Sequence, residues 1–168
     1  MRGGYGGWGA AGRQRISGKA LVRNDNRAFG FGRKDYTITG SHIGLQSELH
    51  LFGAETELIR IKQKKNAKKG SPATQVKYIW SKPIPFYPRA MLLAGETLFI
   101  AGPEDLLDFD SKDPAGKVSF WAVSTEDGSK IAEYTLRSSP VYDSFAAAEG
   151  RLYFTTVDGR VTCYQPAI

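Results

Sequence analysis

Asp143 to Tyr164, DSFAAAEGRLYFTTVDGRVTCY, is the stretch from which the rest of the chain is read. Leu152 to Thr156 is apolar or β-branched throughout, and Val161 to Tyr164 runs Val, Thr, Cys, Tyr; both are strand compositions rather than helical ones. Between them, Asp158-Gly159 is a two-residue hairpin turn in which glycine supplies positive φ at no steric cost. Upstream, Glu149-Gly150 separates the small-residue run Phe145 to Ala148 as one more strand.

Sliding this template back along the chain finds it twice more. With Leu152 placed on Leu98, AEGRLYFTT falls on AGETLFIAG, and a further shift brings NDN and RAFGFG into the same slot. Ala28, Leu98 and Leu152 then correspond, as do Phe29, Phe99 and Tyr153. The third strands ELHLFG, KVSFWA and RVTCYQ align so that Phe52, Trp121 and Tyr164 fall together, the residues expected to pack between neighbouring repeats. A fourth strand follows in the first two copies, Leu58 to Lys62 and Lys130 to Leu136, and none follows in the last. Repeats of about 40 to 50 residues with four short strands each are the signature of propeller blades. The expected fold is therefore all-β: β-propeller blades of four antiparallel strands, two blades plus most of a third, partial or completed by association. The blades fall at 19–62, 89–136 and 143–165, with a basic, Pro-rich connection at 63–88 and a Gly-rich basic arm at 1–15 ahead of the repeat region 16–168.

Composition agrees. With 12% aromatics and 19 glycines, 168 residues suit an all-β protein with many turns rather than a disordered chain. The net charge of +6 traces to Arg60, Lys62, Lys64, Lys65, Lys68 and Lys69, so it describes one solvated stretch and not a basic face. The Gly-Tyr-Gly-Gly-Trp run within Met1 to Arg15 has the makings of a single-strand stacking platform, and nucleic-acid binding through this basic arm is the second alternative function, although no second aromatic-basic patch supports it. Cys163 is the only cysteine, which rules out an internal disulfide; aligned with Leu51 and Phe120, it is expected to be a small buried side chain. Neither a membrane span nor a signal peptide is expected, because no apolar run approaches about 18 residues and Met1 to Arg15 has no hydrophobic stretch.

Chemistry is sparse. His42 lies in an insertion without a ligand-spaced Cys, Asp or His, and His50 alternates with Leu49 and Leu51 on a strand, so neither reads as a metal ligand. The acidic insertion PEDLLDFDSKDP, with Asp105 and Asp108 among its carboxylates, lacks the alternating spacing and mid-loop glycine of a calcium loop. Lys19, Arg89 and Asp143 share the slot that begins each first strand, which in a propeller lines a mouth of the central channel. No nucleophile and base stand at a suggestive spacing, so no catalytic residue is assigned.

RAMLLAGETLFIAGPEDLLDFD and GKVSFWAVSTEDGSKIAEYTLRSSPVYDSFAAAEGRLYFTTVDGRVTCY together resemble the PQQ-like, quinoprotein dehydrogenase-like β-propeller repeat family in its planctomycete-type form. Asp127, Gly128 and Lys130 match the family's Asp/Thr-Gly-Lys turn, and the likeness extends over Ile16 to Tyr164. The resemblance implies part of a longer propeller, or one completed by association with itself or a protein partner, in an exported bacterial protein, periplasmic or secreted. Two activities follow from it. One is a non-catalytic interaction or scaffold module with no cofactor. The alternative is a fragment of a dehydrogenase holding pyrroloquinoline quinone and Ca²⁺, with Arg89, Asp105 or Asp108 at the cofactor. Against the alternative, the lone Cys163 cannot supply the vicinal disulfide of those enzymes, and Trp121 falls on a third strand, where packing rather than cofactor stacking is expected.

Overall fold

A computed structural model describes residues 16, 18–33, 38–39, 42–43, 49–62, 74–104 and 116–165. Among them there is no helix; all regular structure is antiparallel sheet, and no sheet closes on itself. The chain divides into two compact units, Met1–Pro83 and Ile84–Ile168.

The first unit is built on a four-stranded sheet of β1 (Ala20–Arg23), β2 (Arg27–Arg33), β5 (Leu49–Glu55) and β8 (Tyr78–Lys82), in that spatial order. Two short hairpins accompany it, β3 (Ile38–Thr39) with β4 (His42–Ile43) and β6 (Ile59–Arg60) with β7 (Thr74–Gln75). The β1–β2 turn is held by Asn24, whose Oδ1 accepts the amides of Asn26 and Arg27 at 3.1 and 2.8 Å. Strand alternation sends Phe29, Phe31 and Leu51 to one face and Phe52 and Ala54 to the other. Phe52 and Ala54 form a buried cluster with Val76, against which Ile16 and Tyr78 pack.

The fourth strand is not where the sequence placed it. Leu58 to Lys62 is exposed and contributes only the two-residue β6, whereas β8, from the stretch 63–88 read as a connection, completes the sheet. The reason is packing: β8 lays Trp80 opposite Gly53, where a Cβ would come within 2.7 Å of the indole, and stacks it 6.0 Å from Phe29. The lysine-rich stretch Gln63 to Lys69 and the arm 1–15 lie outside the described residues.

The second unit holds a four-stranded sheet and a three-stranded one. The first is β9 (Ala90–Ala94), β10 (Thr97–Pro103), β11 (Val118–Ser124) and β12 (Lys130–Leu136); the second is β13 (Ala146–Ala148), β14 (Arg151–Thr155) and β15 (Val161–Tyr164). They share one core, in which Ala90, Ala101, Val118, Phe120 and Leu136 meet Phe145, Leu152 and Phe154. Phe120 sits at its centre, with the rings of Phe99, Tyr134, Phe145, Phe154 and Tyr164 at 5.7 to 6.2 Å. Alternation along β10 and β11 turns Leu98, Ile100 and Val123 to the opposite face, where they are also buried.

Candidate functional site

The three charged residues expected at a channel mouth do not form one set. Lys19 and Arg89 do occupy equivalent main-chain positions: the Lys19 amide donates to the Phe31 carbonyl at 2.7 Å and the Arg89 amide to the Ala101 carbonyl at 2.8 Å, each just before the first strand of its sheet. Lys19 is exposed, however, while Arg89 is buried. Asp143 leaves the slot altogether, because the equivalent acceptor, the Thr155 carbonyl, is taken by the Val141 amide and the Ser144 hydroxyl. The chain turns at Asp143 with φ 51°, its amide donates to the Arg89 carbonyl at 3.2 Å, and β13 begins only at Ala146.

The aligned aromatic residues also separate. Phe52 lies in the first unit's cluster, 5.0 Å from the His50 ring. Trp121 points away from the core that joins the two sheets of the second unit; it meets Phe86 edge-on at 5.1 Å, and Lys130 Nζ stands 4.5 Å over its ring. Its neighbour Phe120 does the joining, since adjacent residues on a strand face opposite ways. Tyr164 does pack between the two sheets, 5.7 Å from Phe120 and 6.2 Å from Tyr134. It pairs with Leu152, whereas Trp121 pairs with Ile100, so the third copy is displaced by two residues against the expected alignment. The tight Asp158-Gly159 turn, with Gly159 at φ 83°, sets that register.

Cys163 is exposed, contrary to expectation. It pairs with Tyr153 on the face of the three-stranded sheet turned away from Phe120. His50 is buried, with Nδ1 2.6 Å from the Ser81 hydroxyl, in a packed environment of Phe52 and Tyr78. Asp105 and Asp108 lie outside the described residues; their neighbour Glu104 accepts the Ser119 hydroxyl at 2.8 Å and pairs with Lys117. Lys117 also pairs with Glu133, which in turn meets Lys130, and these two lysines hold the Glu133 carboxyl down to about 2, Lys130 contributing most. Among the described residues no group of three His, Cys, Asp or Glu side chains could hold a metal ion.

What the structure does present is an open sheet edge. Among the described residues β15 pairs only with β14, leaving its other side without a neighbour, and beneath that side lies β12 with Tyr134 half exposed. Two cavities flank the Tyr134–Tyr164 contact. One, of about 510 Å³, is floored by Ala122 and Ala132 and walled by Phe99, Phe120, Tyr134 and Tyr164, with Glu149 and Arg151 on its rim. The other, of about 230 Å³, lies among Leu136, Phe154, Thr162 and Tyr164, with Asp158 and Arg160 at its side.

Comparison with protein-family models, with curated proteins and with solved structures finds no match for this chain.

Proposed function

We propose that the chain is a non-catalytic protein-interaction or scaffold module made of propeller-type repeats, whose sheets are completed by another polypeptide. What supports this is the run of antiparallel sheets among the described residues, with four, four and three strands and none closed on itself. The side-by-side packing of the last two sheets through Phe120, Phe154 and Tyr164 is the kind of contact that neighbouring blades make. Resemblance to the PQQ-like repeat family adds the expectation of an exported, periplasmic or secreted bacterial protein.

Two measurements test the reading. Light scattering over a range of concentrations is expected to show mass above that of the monomer; a monodisperse monomer would contradict completion by association. Titration with pyrroloquinoline quinone and Ca²⁺ is expected to leave the quinone absorbance unchanged. A saturable shift would overturn the non-catalytic reading in favour of the quinoprotein dehydrogenase.

A further inference from the structure

We infer that the larger cavity of the second unit is a binding site for a small planar aromatic cation, of the chemical class of the arylalkylamines. This goes beyond the interaction-module reading, and neither depends on the other. Three observations carry it.

The first is how the cavity arises. In the four-stranded sheet Phe120 pairs with Tyr134, and the next row on the same inward face is Phe99, Ala122 and Ala132, paired in turn across β10, β11 and β12. The row presented by the three-stranded sheet is Ala147, Leu152 and Tyr164, likewise paired in turn. Phe120, Phe145 and Phe154 fill the middle of the shared core and hold the sheets apart. Beside them, alanines on both faces are too short to meet. The space of about 510 Å³ between the sheets follows from those small side chains.

The second is its thickness. Stacked sheets stand about 10 Å apart and each Cβ takes up about 1.5 Å of that, which leaves about 7 Å, or two van der Waals contacts of about 3.5 Å. One flat ring fits between alanines so placed. The walls match such a guest: Phe99, Phe120 and Tyr134 stand side by side on successive strands with centroids 6.1 and 5.7 Å apart and planes inclined by 32° and 28°, and Tyr164 meets Phe120 from the other sheet at 5.7 Å. Ring edges and faces in this arrangement favour an aromatic guest over an aliphatic one of equal area.

The third is charge. The cavity opens beside the Glu149-Gly150 turn, where both residues have positive φ. Arg151 follows, but its guanidinium is hydrogen-bonded by Tyr153, and both alternate with the core residues Leu152 and Phe154, so that cation is held on the far face of the sheet. Glu149 makes no ion pair among the described residues. A carboxylate at the mouth of an aromatic-walled cleft selects a ring that carries a positive charge, and the ring faces add cation–π attraction.

The test titrates the full chain with tryptamine by calorimetry, beside indole-3-acetate, which has the same ring and the opposite charge. Saturable one-site binding of tryptamine is expected, with indole-3-acetate at least about tenfold weaker. Glu149→Gln should bring the two within about threefold of each other, the scale of one exposed charge. Ala132→Leu fills the cleft from its floor and should abolish binding of both. Ala147→Leu, at an exposed position on the opposite sheet, should do the same, and circular dichroism identifies which variants remain folded. Absence of saturable tryptamine binding overturns the site, as does binding that survives either leucine in a folded variant. Equal affinity for the two indoles, or a preference that Glu149→Gln leaves unchanged, overturns the cation as the ligand class.

Discussion

At Gly102 the main chain of Tyr87 passes so close that a Cβ would stand 1.7 Å from its carbonyl oxygen. The approach exists because the Tyr87 amide donates to the Pro103 carbonyl at 2.8 Å as the chain runs into β9. Gly102→Ala must push two hydrogen-bonded backbone segments apart, and a loss of at least about 1–3 kcal/mol in urea unfolding is expected. Glu133 offers a subtler test. Its carboxyl lies at about 2, below the ordinary 4.5, so its contribution is complete above pH 4.5 and is lost as the pH falls toward 2. The stability gap between the native chain and Glu133→Gln should therefore be largest above pH 5 and shrink toward zero near pH 2, measured as urea midpoints. A gap that stays constant over that range would show that Lys117 and Lys130 do not act through the carboxylate charge. Cys163 carries the lesson of residue-scale reading: its alignment with Leu51 and Phe120 suggested burial, but exposure depends on which face of the strand is covered, and alignment alone is silent on that.

Strands and turns were more legible than their partners. The hairpin turns at Glu149-Gly150 and Asp158-Gly159 could be read because left-handed backbone has few occupants, and both glycines do have positive φ. Glu149 shares that conformation at φ 52° without being suited to it, so Glu149→Asn should raise stability by up to about 1 kcal/mol, seen as a higher thermal midpoint. The fourth strand of the first sheet escaped the sequence because β8 follows β5 only after a long intervening segment. Strand composition around Trp80 does not show that its ring will settle over Gly53. Phe120 was passed over for Trp121 on similar grounds, since size is visible in a sequence and facing direction is not. Phe120→Ala should cost about 3–5 kcal/mol, whereas Val161→Ser, at a side chain 76% exposed, should stay within about 0.5 kcal/mol. Near-equal losses would mean that the two sheets of the second unit are not joined through Phe120.

For the molecule as a whole, the all-β character was the most legible feature, because it follows from many short apolar runs with glycine turns rather than from any one contact. The cavities of the second unit were not legible, because they arise from side chains of both its sheets. The excess positive charge belongs to the same scale. Retention on heparin is expected to be weak and to depend on Lys64, Lys65, Lys68 and Lys69; replacing all four by Gln should remove it, and retention that survives would point to another basic surface. The solitary thiol at the uncovered rim has a practical side. A maleimide dye will attach at Cys163 alone, so its emission reports on that border of the sheet and nowhere else.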